Sequence, residues 1–286
     1  MTHKLLFHVF LLALFLALWA APRPAVAAAP HPTLLNARSL GMGGALRALS
    51  DPVDSARINP AGLATHRGFF AGSSYATRRD APYDAFSLTV VDNITSPMGG
   101  ALQYQRTKDR EEEREEVGLG LAMGTPGLRW GFTVRYVHGR QGRDGDWHNV
   151  FNGDVGVLFE RPGGTRLAVV GYDLLGTSLP FLERRISLGV AQVGAGNSWN
   201  LAADLVRNMD QDFADGLDLH LGAEYRPTGS PWAGRLGHMW RGDNGKDYQS
   251  LGGGYSTDRL ELGYALQLPR QARSELLHLF TVDGSF

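Results

Sequence analysis

The chain of 286 residues contains no cysteine, so neither disulfides nor thiolate metal sites can hold its fold. Proline is sparse, at 14 residues against 37 glycines, and the glycines follow no G-X-Y period, which excludes a collagen-like chain. Excess charge is missing as well. A net charge of -1 gives no electrostatic reason to expect nucleic acid as a partner. Long apolar runs are absent beyond the first thirty residues, so no later helix is expected to cross a membrane. Apolar content of 43% is too high for disorder.

What is present begins with a leader. Lys4 precedes an uncharged run from Leu5 to Ala21, and Ala25-Val26-Ala27-Ala28 supplies small residues for cleavage. A basic start, an apolar middle and an A-x-A end are the parts of an export signal, with cleavage expected after Ala27. A signal peptide is therefore expected over 1–27.

From Phe69 onward the chain alternates with period two. Leu128, Trp130, Phe132, Val134 and Tyr136 interleave with Arg129, Gly131, Thr133 and Arg135, and Leu217, Leu219, Leu221 and Ala223 interleave with Asp218, His220, Gly222 and Glu224. Successive side chains on a strand point to opposite faces, so each segment has one apolar and one polar or glycine face. Fourteen such segments are counted, near 68–77, 83–91, 98–106, 116–124, 128–138, 149–159, 165–173, 185–193, 199–206, 217–226, 232–240, 248–256, 259–268 and 275–286. Their lengths suit tilted membrane-crossing strands. Tight links at 92–97, 125–127, 161–164, 194–198, 227–231 and 257–258 alternate with mostly longer ones at 107–115, 139–148, 174–184, 207–216, 241–247 and 269–274. Loops sorted by side in this way are expected of an all-β fold: a 14-stranded antiparallel transmembrane β-barrel in the outer membrane of a Gram-negative bacterium. Trp130, Trp199, Trp232 and Trp240 fall near strand ends, as an interfacial girdle requires.

The stretch Leu40–Leu63 breaks the alternation. Gly41-Met42-Gly43-Gly44-Ala45 fails as a dinucleotide fingerprint, because Leu46 stands where a third glycine is needed and no strand precedes it. A structural role fits better: glycine permits close backbone approach, Ala45 to Leu49 suits a helical turn ended by Asp51-Pro52, and Asn59-Pro60-Ala61-Gly62 is a turn. The sequence G-M-G-G-A, then Asp51, then N-P-A-G-L resembles the N-terminal signature of the FadL-like outer-membrane transport superfamily. That superfamily includes hydrocarbon and long-chain fatty-acid channels and the PorV/PorQ-like proteins of type IX secretion. The resemblance implies a 14-stranded barrel over 67–286 with an N-terminal hatch, or plug, over 28–66 in its lumen, and it puts Asn59, Pro60 and Ala61 in the hatch turn. It also implies passive transport of a small hydrophobic ligand with lateral exit into outer-membrane lipid. The alternative it leaves open is a PorV/PorQ-like component handling secreted proteins.

If the apolar faces meet lipid, the lumen receives Arg129, Arg135, Asp154, Asp204, Asp218, His220, Glu224, Arg259 and Glu261, charges that must pair with one another or with the plug. Glycines 118, 120, 222 and 263 on those faces either leave room for a hatch or let the strands bend and twist. The run Lys108 to Glu116 reads as a charged outer loop, and Leu174 to Leu182 as the one apolar loop, more simply a segment inserted at the membrane rim than an entrance. Catalysis has no constellation to rest on, since Ser178 and His220 lie on different segments with no third group, and the histidines lack metal-ligand spacing, so neither an enzyme nor a cofactor is expected. Phe280, Val282 and Phe286 share one face of the last strand, which resembles the terminal strand that barrels present to their assembly machinery.

Overall fold

The computed structural model describes residues 36–78, 82–110, 112–142, 144–176, 182–213, 215–242, 247–270 and 276–286; the expected leader and the first residues of the expected plug, 28–35, lie outside these. Fourteen strands form one closed antiparallel barrel in sequence order. They are β1 (Phe69–Arg78), β2 (Asp84–Asp92), β3 (Gly99–Lys108), β4 (Glu112–Thr125), β5 (Leu128–Gln141), β6 (His148–Glu160) and β7 (Thr165–Tyr172), followed by β8 (Arg185–Val193), β9 (Trp199–Asn208), β10 (Leu217–Tyr225), β11 (Trp232–Arg241), β12 (Asp247–Ser256), β13 (Leu260–Pro269) and β14 (Leu277–Ser285). The ring closes where β1 pairs with β14, from Phe70 opposite Ser285 to Arg78 opposite Leu277.

The alternation read from the sequence becomes two faces. On β5, Trp130, Phe132, Val134 and Tyr136 are exposed while Gly131, Thr133, Arg135 and Val137 are buried. Leu102, Leu119, Val155, Leu188, Leu262 and Phe280 continue this exposed apolar band around the ring, on a surface whose strands leave no free edge. Phe286 stays on that face, its ring set against Phe69 with centroids 6.0 Å apart.

One expectation fails. Residues 107–115 are not a loop: β3 runs to Lys108, β4 begins at Glu112, and only 109–111 connect them. The charges alternate across a ladder that pairs Arg106 with Glu115 and Lys108 with Glu113. Glu113 receives Lys108 at 3.2 Å and Arg140 at 2.9 Å, so groups that looked solvated are cross-strand partners. The sorting of links by side is correspondingly weaker than expected.

Residues 36–66 lie inside the ring. Helix α1 (Ala37–Gly41) packs on β11 to β14, whereas the 3₁₀ turn Pro60–Ala64, which follows helix α2 (Ser55–Ile58), packs on β3 to β6, across the barrel. Only an interior segment reaches both walls. The helix is α1, eight residues before the expected Ala45–Leu49, where the chain makes only a turn closed by the Leu49 N–H donating to the Leu46 carbonyl at 3.0 Å. Asn36 caps α1 by accepting from the Arg38 N–H at 2.7 Å, and Gly43 and Gly44, with φ of 63° and 83°, end it. Asn59 behaves as expected, its side-chain oxygen accepting from the Ala61 N–H at 3.1 Å to open the 3₁₀ turn.

The core is the interface between this segment and the wall. Leu40 packs with Ala76, Ala85, Ala265 and Leu279; Met42, Leu46 and Leu49 with Leu158, Ala168, Ala191 and Ala202; Leu63 with Val91, Ala101 and Ala122. Each large side chain buried this way contributes about 1.5–3 kcal/mol. The inner faces therefore carry alanine as well as the expected charges and glycines.

Candidate functional site

The glycine-rich motif is where the interior segment comes closest to the wall. Gly43 lies on the backbones of β10 and β11, where a side chain would fall within 3 Å of the His238 amide and the Leu221 carbonyl. The wall answers with glycines of its own. At Gly99, Gly131, Gly156, Gly222 and Gly237 an added Cβ would fall within 3 Å of Leu63, Pro60, Asn59, Met42 and Gly43 respectively. Of the four glycines expected to make room, Gly222, Gly120 and Gly263 do so, while Gly118 faces the Gln103 side chain instead. Met42, Ala45 and Ala61 are fully buried, and the Asn59 amide donates to the Arg47 carbonyl at 2.8 Å, tying both halves of the motif together.

Polar contacts then fix the segment to opposite walls. Arg47 donates to Asp204 twice, from its backbone N–H and from its guanidinium, both at 3.1 Å. Arg38 makes a two-pronged contact with Glu224 at 2.9 and 3.0 Å and reaches Asp51 at 3.3 Å. The His220 Nδ1 lies 2.8 Å from the Gly43 carbonyl; a carbonyl only accepts, so this nitrogen carries the proton. Thr133 donates to the Ala56 carbonyl at 2.7 Å, Arg129 to Ala64 at 3.0 Å, Arg166 to Leu49 at 2.8 Å, and the Tyr172 hydroxyl to Ile58.

Two ionic knots flank these contacts. Towards the end where β10, β11 and β13 meet the short turns, Glu224 also receives Arg235 at 2.7 Å, and Arg235 reaches Glu261 at 2.7 Å. Towards the other end, Arg135 binds Glu116 at 3.1 Å and both Asp154 and Asp173 at 2.7 Å; Arg114 shares Glu116 at 2.8 Å and Arg185 shares Asp173 at 3.3 Å. The interior segment enters this second knot through Arg57, 3.4 Å from Glu116. Its arginines are not equally compensated. Burial opposes the Arg38 charge, but Glu224 and Asp51 more than offset this and its pKa is raised. Burial also dominates at Arg57, where Glu116 must serve Arg135 and Arg114 as well, and its pKa is lowered.

The lumenal residues expected from the alternation lie on inner faces except Arg259, which is exposed in the turn ahead of β13 because the strand begins only at Leu260, and the rest do not form one constellation. Glu224 and Glu261 share the first knot, Arg135 anchors the second, and Asp204 and His220 hold the segment between them. Arg129 pairs with Glu160 near a short turn, and Asp218 accepts from the Gly242 N–H at 3.1 Å near the opposite rim. The cations of the interior segment, Arg38, Arg47 and Arg57, were not foreseen, nor were Glu116, Asp173, Arg185 and Arg235. Arg235 was readable from the parity of β11, whereas Glu116 was hidden by the loop assignment. Ser178 lies outside the described residues.

The open rim above the second knot holds a cleft of about 520 Å³ between β1 and β5, lined by Arg78, Lys108 and Arg140 and by Asp84, Asp109, Glu112 and Glu113. Leu182 is buried inside the rim against Val137 and Val150, whereas Leu174 and Leu175 of the same link are exposed on the outside.

No family model matches the sequence, and no curated protein does. Solved structures do. The CymD monoaromatic hydrocarbon channel aligns over 88% of this chain and 97% of its own, with 15% identity and a TM-score of 0.69. The Ralstonia pickettii toluene transporter TbuX aligns over 88% and 98%, with 12% identity and a TM-score of 0.68. A Pseudomonas aeruginosa FadL homologue aligns over 88% and 98%, with 12% identity and a TM-score of 0.59. The fold is that of the FadL-like channels, as the motif resemblance implied.

Proposed function

We propose that this FadL-like barrel sits in the outer membrane, that residues 28–66 are its plug, and that it passes small hydrophobic molecules without an energy source. One observation carries the reading: a closed ring filled by a segment latched to opposite walls, on the fold of hydrocarbon channels. The exposed apolar band suits lipid, and an interior rich in buried ion pairs argues against a straight greasy passage. Moving an apolar solute through it would require separating paired charges, at about 3–5 kcal/mol for each broken pair. A solute of this class therefore leaves sideways through the wall, which spares it the aqueous route.

The test compares cells with and without the protein for uptake of toluene and of a long-chain fatty acid. Faster uptake of either supports the reading, and equal uptake of both sinks it. Gel mobility checks the architecture: a closed barrel resists SDS until boiled, and deletion of Leu40–Leu63 converts a non-conducting barrel into a conducting one in a planar bilayer. A second reading, a PorV/PorQ-like role with secreted proteins, draws on the shortness of the links at the open rim, 109–111 above all. Loss of surface proteins on deletion of the gene, with uptake unchanged, would favour it. The exposed row Phe280, Val282 and Phe286 fits recognition by barrel assembly machinery, testable by Phe286→Ala and the yield of folded barrel.

A further inference from the structure

The second knot carries more positive than negative charge around one residue of the interior segment. Arg57 is 8% exposed, and it meets the wall through one nitrogen, Nη2, at 3.4 Å from Glu116. Its Nε and Nη1 atoms are buried with no hydrogen-bond partner among the described residues. Glu116 has little to spare, since it also serves Arg135 at 3.1 Å and Arg114 at 2.8 Å. Four buried guanidiniums, Arg57, Arg114, Arg135 and Arg185, therefore gather around three buried carboxylates, Glu116, Asp154 and Asp173. A further acid, Glu112, stands towards the rim and lies 3.7 Å from Arg114. Burial pushes the Arg57 pKa down, yet a guanidinium does not shed its proton in a protein. What remains is a buried charge that its neighbours compensate poorly.

Arg57 borders a cavity of about 10 Å³, whose other walls are Arg135, Asp154, Tyr172, Asp173 and Arg185. That is room for a single water-sized sphere, so phosphate, sulfate and carboxylate ligands are excluded. The acceptors in its lining are already engaged. Asp154 accepts from Arg135 and from the Asp173 N–H, and Asp173 accepts from Arg135 and Arg185. The Tyr172 hydroxyl donates to the Ile58 carbonyl. The atoms left over are donors: Arg57 Nε and Nη1, and the Arg135 Nε, which is likewise buried without a partner among the described residues. A water molecule would accept from two of them and bring no charge. A monatomic anion accepts from all three and supplies the charge that is missing.

We propose that this chamber is a halide site, holding one chloride ion between Arg57 of the interior segment and Arg135 of β5. The ion acts as a rivet: it joins the segment to the wall where carboxylates run short. Chloride is somewhat wider than water, and the long arginine side chains give way to admit it. The inference uses the contacts of the interior segment alone and is independent of the transport reading.

Melting of the purified barrel in neutral detergent, followed by tryptophan fluorescence, tests the site. The protein is exchanged into sodium gluconate, whose anion is too large for the chamber, and sodium chloride replaces it at constant ionic strength. Expected is a saturable rise in melting temperature with chloride, matched by bromide and absent with sulfate. Arg57→Gln should lose that rise, and its resistance to SDS until boiled shows that the variant has closed. Equal melting in chloride and gluconate overturns the site, as does an Arg57→Gln barrel that keeps the full rise. If the variant does not close, wild-type crystals grown from sodium bromide decide the matter. An anomalous scattering peak between Arg57 and Arg135 is expected, and a chamber holding water alone overturns the proposal.

Discussion

Replacing Asp204 by alanine isolates what holds the interior segment in place. The Arg47 guanidinium is 3% exposed and its partner fully buried. Without Asp204 this cation keeps one hydrogen bond, to the Gly44 carbonyl at 2.9 Å, and the Tyr172 ring 5.6 Å from its charge centre. Stranding one member of a buried pair costs about 3–5 kcal/mol. The strain falls on the seated state alone, because an unseated Arg47 regains water. At ~1.4 kcal/mol per decade, the unseated population rises by two to three and a half decades, roughly a hundredfold to a few thousandfold. The assay is single-channel recording in a planar bilayer, where the wild type should be nearly silent and Asp204→Ala should open often. The double variant Arg47→Met with Asp204→Leu removes both charges and should close again, since an apolar pair of similar volume is often neutral or better. Equal silence of wild type and Asp204→Ala, both shifting on boiling, would refute the latch, as would a double variant that leaks as much as the single.

Three further outcomes follow from other contacts. Gly237→Ala drives a methyl into the backbone of Met42 and Gly43, so it should cost about 1–3 kcal/mol and raise conductance, read from thermal melting and bilayer recording. Arg135→Met leaves Asp154 with only the Asp173 N–H at 2.9 Å, and the temperature at which the gel band shifts should fall, by an amount reflecting about 3–5 kcal/mol. Asp54 has its pKa raised by burial and by the neighbouring Asp51 and Asp283 carboxylates. The unfolded form then ionises first, and stability present below the ordinary carboxylate range is lost as pH rises through the folded value. Acidification from neutral pH should therefore steady the interior segment, and Asp54→Asn should flatten that dependence in melting curves taken across pH.

Strand number and boundaries were legible because a lipid-facing barrel writes its two environments into alternate residues; Trp130 and Arg135 could not both sit on one face. The failure at Lys108–Glu116 has the same root. There the strands run on with charge on both faces, and alternation of polarity vanishes although alternation of direction persists. The latches were out of reach for another reason. Arg47 and Asp204 are separated by 157 residues, and Arg38 and Glu224 by 186, so nothing local in the chain marks one as the other's partner. The Gly41–Ala45 motif was legible as a place of close approach, but not as what it approached.

The bare backbone belt around the interior also governs how the two walls are joined. At Gly99, Gly131, Gly156, Gly222 and Gly237 even a methyl would meet the interior segment within 3 Å. Because that segment touches strands on both sides of the ring, it braces the cylinder from within as a spoke does a wheel, in addition to the ladder that runs around the rim.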